Sequence, residues 1–452
     1  MITIKEVEDG NRSIFLRTHN NDNGSLLLEE NVYFRVYKTM VNMKPVWILY
    51  DDDMKVISEV YKYINIQMAG QADNSKEKAV YAFRLMYCFL KLFKANIKDL
   101  KQIDIERLKY FLLGYSPDKG AYSMQLQTVR RNSTVNGYLN VYRSFFKYSG
   151  IECCYLFDTK EMVAFGINPM SKQAEKVSKY TSSLKTGTPV NRVPKYISIE
   201  DFARILKIIR GGENKLAECI VRLMYQFGLR IGEVLGLTFE DLTEINIVGN
   251  LYPVLLIRNR LSDKHFQHAK TCMNISDTKQ YKSKDYLTEN YGYQKVIITF
   301  DIYEMLNSHI EEFHTIALNY NPKRYQEGAK ADITSKDKYA NENRYIFLNS
   351  IGTALSEQTW NKYLRTVFKC AGIAIDSNSK KNNLNHRFRH GFAMFNVQYR
   401  KTSLLELQKL MRHASVLSTM VYYNPTEAEE AAIKNDFVNE LYDLMPDLKK
   451  EF

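Results

Sequence analysis

The sequence predicts a mainly α-helical protein with small antiparallel β-sheets. Three observations predict this fold class. Apolar residues alternate within residues 1–50, they recur every three or four positions from about residue 54 onward, and two short β-type runs interrupt the later helical pattern. The chain has 452 residues, of which 45% are hydrophobic, so it is long enough for two or three domains with buried cores.

Residues 1–53 are predicted to form a small strand-containing extension. The runs 32–37 and 46–50 are rich in β-branched and aromatic residues, and three consecutive aspartates end the segment. Residues 54–170 are predicted to form a helical domain, because apolar side chains such as Val60 and Ile64 recur on one helical face.

Residues 171–195 are predicted to be a basic linker. The segment carries six basic side chains against one acid, Glu175, and is polar throughout. It offers too little apolar surface to fold alone, and its excess positive charge suits contact with a polyanion.

Residues 196–425 are predicted to form the largest domain, in which helices bracket a β section. Strands are predicted at 254–257 and 296–299, and residues 344–348 are either a third strand or an extended segment.

Residues 426–452 are predicted to form a tail helix. The segment has eight acids against three bases, so it is acidic in a protein with a net charge of +12. Ile433, Phe437, Leu441 and Leu444 nevertheless recur at helical spacing, which predicts an apolar stripe that needs a groove.

Composition narrows the function classes. The net charge of +12 favours a polyanionic partner, nucleic acid before an anionic membrane surface, although a merely basic protein is the alternative. The six cysteines are scattered without a Cys-x-x-Cys pair, so we expect reduced thiols and no metal site. We find no apolar run near the ~20 residues of a membrane span and no signal peptide, so we expect a cytoplasmic protein without membrane contact.

Arg230 stands in the apolar stretch 227–237, where a buried guanidinium needs a partner. Glu233, three positions later, lies on the same face of the predicted helix and could orient it. Taken alone, this pair could equally be a local structural ion pair.

A second motif lies near the C-terminal end. His386, Arg389 and His390 form a His-x-x-Arg-His pattern, and His413 precedes Tyr422 by nine residues. His386 and Arg389 are one helical turn apart, so both can reach one point. Two arginines can grip the non-bridging oxygens of a phosphodiester and stabilise the charge of a pentavalent phosphorus, while a tyrosine attacks it.

The order and spacing of these elements resemble the tyrosine recombinase (phage integrase) family over about residues 55–425. The resemblance implies a helical core-binding domain and a catalytic domain that together form a C-shaped clamp on DNA. It implies these catalytic residues: Arg230, Lys270, His386, Arg389, His413 and Tyr422. Glu233 and His390 take supporting roles. Tyr422, which the spacing favours over Tyr423, then forms a 3′-phosphotyrosine, with neither metal nor cofactor required.

The general acid has two candidates, and the residue before His413 departs from the family pattern. The family's general-acid lysine lies near a β-hairpin turn, and here Lys270 is favoured while Lys264 remains open. Family members commonly have glycine before the third active-site histidine, whereas this chain has Arg412, a departure that bears on the local backbone.

Basic side chains are predicted to contact DNA phosphates, with a solvated helix face as the alternative. They are Arg130, Arg131, Arg143, Lys147, Lys172, Lys176, Lys179, Arg258 and Arg260. The resemblance also implies duplex DNA with specific recombination sites, a homotetramer held together by the tail helix, and accessory directionality or bending proteins as further candidate partners. We expect a mobile-element integrase or transposase. The alternatives are a type IB topoisomerase and a catalytically silent DNA-binding protein.

Overall fold

The computed structural model divides the chain into two compact units, Met1–Pro189 and Val190–Phe452. The structure describes residues 2–9, 12–21, 23, 26–41, 44–71, 73–115, 122–165, 174–186, 193–258, 293–331, 343–375, 383–424 and 427–445. These residues are mainly helical with small sheets, which confirms the predicted fold class. No helix in these ranges is both long and apolar enough to cross a membrane.

The strands described in the N-terminal unit are β1 (Ile2–Asp9), β2 (Arg12–Asn20), β3 (Leu26–Val32), β4 (Arg35–Val41), β5 (Lys44–Tyr50), β6 (Tyr122–Gln125), β7 (Thr159–Phe165) and β8 (Ala174–Tyr180). They form a sheet in the order β3-β2-β1-β6 and the hairpins β4–β5 and β7–β8. The pairs are antiparallel except β1–β6, which is parallel and departs from the prediction of antiparallel sheets. The run expected as one strand at 32–37 belongs to two, because β3 ends at Val32 and β4 begins at Arg35.

The first 53 residues share the core of the helices that follow them, rather than forming a separate extension. The helices are α1 (Ser58–Lys62, continued by a π-helical turn at Tyr63–Gln67), α2 (Asp73–Phe93), α3 (Gln102–Leu113), α4 (Asn132–Ser149) and α5 (Cys154–Phe157). Ile4, Phe15 and Trp47 are buried in one cluster with residues of α2 and α3, and the ring centroids of Phe15 and Phe111 lie 5.1 Å apart. The alternating strands have an apolar face, which these helices cover.

The predicted linker is partly folded. Residues of β8 pair with β7, although 171–195 is predicted to be a linker that cannot fold alone. The side chain of Asn136 in α4 accepts from the Leu184 backbone N at 2.8 Å and donates to the Leu184 carbonyl at 2.9 Å. A hairpin that pairs its own backbone and docks on an existing unit needs little apolar surface, which is why polar composition was misleading. The boundary between the two units along the chain follows Pro189, inside the predicted linker.

The helices described in the C-terminal unit are α6 (Ile199–Gly211), α7 (Lys215–Gln226), α8 (Ile231–Leu235), α9 (Phe300–Tyr320), α10 (Pro322–Gly328), α11 (Glu357–Cys370), α12 (Asn383–Gln398), α13 (Leu404–Met411), α14 (Leu417–Met420) and α15 (Glu427–Leu444). The strands are β9 (Leu242–Ile247), β10 (Asn250–Arg258) and β11 (Tyr293–Ile297). They form an antiparallel sheet in the order β11-β10-β9.

The predicted β section is close to the observed one, with two differences. The strand expected at 254–257 lies within β10, but the one expected at 296–299 ends earlier, because Thr299 is already the N-cap of α9. The sequence reading missed β9. Residues 344–348 form an extended segment with isolated bridges, such as that between Thr238 and Tyr345.

Helix α12 is central to the C-terminal unit. Its Phe388 is buried in the main cluster with residues of α6, α7 and α11. Gly391 allows close approach to α7, because an added Cβ would lie 2.5 Å from the Tyr225 ring. On its other side α12 packs against α13 and against the 3-10 turn Val421–Tyr423. One helix therefore touches both regions in which the sequence motifs lie.

Candidate active site

The sequence indicated that Arg230 lies inside an apolar helix. In the structure Arg230 is instead the N-cap of α8. The turn before it depends on Gly228, which has φ +61°. A Cβ at Gly228 would lie 2.7 Å from the Phe392 ring, so glycine meets both the backbone and the packing requirement. The turn leaves the Arg230 side chain 34% exposed, so it is accessible to a ligand.

Glu233 is paired with Arg230 through both its oxygens. Its Oε1 accepts from Arg230 Nη1 at 2.8 Å, and its Oε2 accepts from the Arg230 backbone N at 2.8 Å. Burial raises the pKa of the Glu233 carboxyl, but the positive charges of Arg412, Arg230 and Arg389 outweigh burial and lower the pKa overall. Glu233 is therefore an anion at neutral pH.

Arg412 is a residue of this cluster that sequence reasoning did not include. Its Nη2 donates to Glu233 Oε2 at 2.8 Å and to the Gly228 carbonyl at 3.3 Å, and its Nη1 donates to the Phe227 carbonyl at 3.4 Å. One feature of the sequence could have pointed to Arg412: it lies directly before His413, where the family commonly has glycine.

Arg389 is buried and held at both ends of its guanidinium. Its Nη1 donates to the Gly228 carbonyl and its Nη2 to the Met411 carbonyl. Burial, together with the neighbouring charge of Arg230, lowers the pKa of Arg389 to about 9, which still leaves it protonated at neutral pH. Three guanidinium groups thus surround the single carboxylate of Glu233, and this cluster has two positive charges in excess. Such an excess suits a phosphate.

The three motif histidines lie beside the arginines. His386 is exposed, and its ring centroid lies 6.0 Å from that of the half-buried His390. His413 is held by Thr419, whose Oγ1 lies 2.9 Å from His413 Nδ1, and Thr419 is a second residue that the motif analysis missed.

All three imidazoles are neutral at pH 7. Desolvation by the surrounding protein and the charges of Arg389 and Arg230 lower the pKa of His386. Burial, together with the neighbouring positive charges, lowers the pKa of His390 to about 3 and that of His413 to about 4. A neutral imidazole can accept a proton from one side and donate from the other.

Tyr422 lies in the 3-10 turn after α14 and is 3% exposed. Its hydroxyl is 2.8 Å from His390 Nδ1, and the donor depends on the tautomer of His390. Burial raises the pKa of Tyr422 to about 12, against the lowering effect of the charges on Arg389 and Arg230. Tyr423, by contrast, is 38% exposed and donates its hydroxyl to the Thr402 carbonyl at 2.6 Å.

Arg143 does not fit its predicted contact with DNA. It is buried, its Nε donates to the Leu156 carbonyl at 2.8 Å, and its Nη2 donates to Ser182 Oγ at 2.7 Å. The Tyr180 ring centroid lies 4.0 Å from its guanidinium. Arg143 is a structural residue that attaches the β7–β8 region to α4, because its Nε, Nη1 and Nη2 all donate to partners within the protein.

Arg258 is likewise structural rather than free for phosphate. Its Nε donates to Oδ1 of the buried Asp241 at 2.5 Å, and its own side chain is 10% exposed. Arg130 is half-buried and donates to the Leu112 carbonyl at 3.1 Å. Several other predicted phosphate contacts are exposed and remain predictions, namely Arg131, Lys147 and Lys179.

The remaining predicted residues cannot be placed. Lys172, Arg260 and both candidate general acids, Lys264 and Lys270, lie outside the described residues, as does the side chain of Lys176.

Known proteins are similar to this chain, and a family profile covers the region that holds the cluster. A profile described as "Phage integrase family" matches residues 195–429. Transposase A from transposon Tn554 of Staphylococcus aureus strain N315 is 29% identical over 210 residues, which are 44% of this chain and 55% of that protein. The same figures hold for its counterpart in strain Mu50. The chain thus spans about half the length of the curated relatives it matches.

Solved structures are similar at lower identity. The crystal structure of XerA recombinase is 15% identical, with 86% of this chain and 98% of that chain covered and a TM-score of 0.32. The Tn1549 transposon integrase in complex with transposon right end DNA is 15% identical, with 84% and 99% covered and a TM-score of 0.47. Similarities at this level do not bear on individual residues.

Proposed function

Because the chain belongs to the phage integrase family, whose profile covers residues 195–429, we propose that it is a site-specific DNA recombinase of a mobile element. Tyr422 attacks a phosphodiester, forming a bond from its phenolic oxygen to phosphorus while the bond to the 5′ oxygen breaks. The products are a 3′-phosphotyrosine and a free 5′-hydroxyl. Attack by the 5′-hydroxyl of a partner strand then reverses the chemistry and rejoins the DNA, so the phosphodiester energy is conserved.

One observation carries the proposal: a buried tyrosine hydroxyl lies in a cluster that has an excess of positive charge. Residues from four separate segments meet there, namely the turn before α8, helix α12, the end of α13 and the turn after α14. The charges of Arg389 and Arg230 both act on the Tyr422 phenol. A surface tyrosine such as Tyr423 does not have this environment.

Each residue of the cluster has a proposed role. Arg230 and Arg389 hold the non-bridging phosphate oxygens and stabilise the charge that develops on them. His390, for which the resemblance implies only a supporting role, lies 2.8 Å from the phenol, and we assign it the direct role of accepting the phenolic proton on Nδ1. His386 and His413 donate to phosphate oxygens as neutral imidazoles, and Lys270 protonates the leaving 5′ oxygen.

The relatives and the charge support DNA of a mobile element as the substrate. The similarity to Transposase A of Tn554 supports transposition over chromosome maintenance. The net charge of +12 favours binding to the phosphate backbone.

Covalent capture on a nicked suicide substrate tests the proposal. We expect the wild-type protein to form an adduct, Tyr422→Phe to form none, and Tyr423→Phe to form it as the wild type does. Phenylalanine keeps the ring and removes only the hydroxyl, so site binding by Tyr422→Phe is expected to remain within a few-fold. An adduct without strand exchange between two sites would indicate a topoisomerase, and binding without any adduct would indicate a silent DNA-binding protein.

The same proposal includes a homotetramer on DNA, joined through the tail helix. In the single chain, α15 leaves Phe437 63% exposed and Leu444 81% exposed. These belong to the apolar stripe seen in the sequence, and a second copy of the chain is the proposed occupant. Docking on a neighbour would link the position of Tyr422 in one subunit to the state of the next.

Substitutions on the stripe test the tetramer. The double variant Phe437→Ser/Leu444→Ser is expected to bind one half-site normally and to lose assembly on paired sites in gel-shift and light-scattering measurements. Tyr320→Ser, which removes an 81% exposed aromatic side chain at the end of α9, is the matched control. Full assembly of the double variant would rule out docking through this stripe.

A further inference from the structure

Arg412 occupies a backbone position that favours glycine. It is the C-cap of α13 and has φ +53° and ψ +44°, the left-handed conformation. An L side chain adopts this conformation at a cost that glycine avoids, and glycine is the usual residue at such helix ends. An arginine at this position points to a role for its side chain.

The side chain of Arg412 is directed into the cluster, not into solvent. It is 8% exposed, and its ion pair with Glu233 at 2.8 Å involves a carboxylate that is itself 0% exposed. The carbonyls of Phe227 and Gly228 accept from the same guanidinium. These contacts join the end of α13 to the turn that carries Arg230.

Neighbouring residues of the same turn make related contacts. The Met411 carbonyl accepts from Arg389, and His413 Nδ1 pairs with Thr419 Oγ1. Arg412 therefore lies between a residue that fixes the second arginine and a residue that belongs to the Tyr422 side of the cluster.

We propose that Arg412 is a positioning residue that holds the Arg230 turn against the end of α13 and shares the Glu233 carboxylate with Arg230. The proposal rests on the proposed function of the site. With Arg412, the three guanidinium groups and one carboxylate leave two positive charges; without it, one charge remains and Glu233 pairs with Arg230 alone. Arg230 is then drawn toward the carboxylate and is less available to a phosphate oxygen.

A four-protein cycle tests the proposal: wild type, Arg412→Gly, Glu233→Gln and the double variant. Glycine suits the left-handed backbone, so Arg412→Gly removes the side chain without adding strain. We expect adduct formation on the suicide substrate to slow about 10- to 100-fold, with half-site binding changed less than about threefold. The double variant restores the original charge excess, so it is expected to cleave faster than Arg412→Gly.

Lys401→Gly is the matched control. Lys401 is also a basic residue in the left-handed conformation, with φ +52°, but it is exposed. Its replacement removes one positive charge and relieves the same backbone strain, and we expect the cleavage rate to stay within about twofold of wild type. Arg412→Lys keeps the charge but not the fork of donors, so an intermediate rate is expected.

Thermal unfolding of the same four proteins provides a readout that does not depend on cleavage. We expect non-additive changes in the unfolding midpoint, because Glu233 and Arg412 interact directly. Wild-type cleavage by Arg412→Gly, or additive midpoints, would overturn the proposal for Arg412. A wild-type protein that forms no adduct while the midpoints remain non-additive would instead refute the proposed function alone.

Discussion

Replacing Glu233 by glutamine tests whether a buried carboxylate organises the arginines. Removing one partner of a buried ion pair costs about 3–5 kcal/mol. Two features make the cost smaller for Glu233→Gln. The Arg230 side chain is 34% exposed, so solvent screens its interaction with Glu233. Glutamine also retains an oxygen that can accept a hydrogen bond. We therefore expect a loss of about 2–4 kcal/mol in the free energy of unfolding, most of it from the interaction with Arg412.

The assay is thermal unfolding followed by circular dichroism at several pH values. At neutral pH the midpoint should fall by roughly 4–16 °C, at about 2–4 °C per kcal/mol for a unit of this size. The folded pKa of Glu233 is lowered below the value of 4.5 for a free carboxyl. Its stabilising contribution is therefore complete above pH 4.5 and is lost as the pH falls through the folded pKa. The curves of the two proteins should converge in acid.

Glu312→Gln provides the control. Glu312 pairs with Lys215 at 2.5 Å, and both side chains are more than half exposed. We expect no resolvable change of midpoint in this variant at neutral pH, since exposed pairs contribute little. Equal small losses in the two variants would show that Glu233 is not an organising residue. A difference between wild type and Glu233→Gln that persists undiminished in acid would refute the electrostatic explanation.

Substitutions of the two arginines and of the candidate lysines probe the chemical step. Arg230→Ala and Arg389→Ala should each slow cleavage about 100- to 1000-fold while binding changes much less, and equal losses in cleavage and binding would make them ordinary phosphate contacts. Lys270→Ala should be rescued by a substrate with a 5′-bridging phosphorothiolate, because a sulfur leaving group needs no proton. If the same substrate rescues Lys264→Ala and not Lys270→Ala, then Lys264 is the general acid.

The sequence predicted the helical parts of the fold well because helical periodicity is a local signal. Val60 and Ile64 are buried on the helix face expected of them. The strands were harder to predict, since pairing depends on partners that are distant in the chain. The parallel partner of β1 is β6, more than 100 residues later, and no local pattern indicates it.

The roles of basic residues were also hard to predict from the sequence, because they too depend on partners that are distant in the chain. Arg143 and Arg258 look like phosphate contacts in the sequence, yet Arg143 is buried, Arg258 is half-buried, and each donates to polar partners from other segments. Charge is visible in a sequence, whereas burial is a property of the assembled chain. Arg412 differs from these two residues, because the sequence does show that it replaces the usual glycine. Its partner could not be predicted, since the Glu233 carboxylate that accepts from its guanidinium is 179 residues away along the chain.

The protonation of Tyr422 limits how cleavage can proceed. With a pKa of about 12, removing the phenolic proton before attack at pH 7 would cost about 7 kcal/mol. A bound phosphate adds negative charge, which makes the phenol less acidic but His390 more basic. Proton transfer to His390 Nδ1 at 2.8 Å during attack avoids forming a free phenolate.

A pH profile distinguishes these routes. The pKa of His390 is lowered to about 3, so the imidazole is unprotonated throughout pH 6–9, and the negative charge of a bound phosphate raises that pKa and makes Nδ1 a stronger proton acceptor. We therefore expect the single-turnover cleavage rate to be nearly constant from pH 6 to pH 8 in the wild type, below the pKa of about 9 at which Arg389 begins to lose its proton. His390→Phe lacks the acceptor and should be slower, with a rate that rises about tenfold per pH unit as hydroxide takes over the deprotonation. A flat profile at the wild-type rate in His390→Phe would mean that the proton leaves by another group, such as a phosphate oxygen.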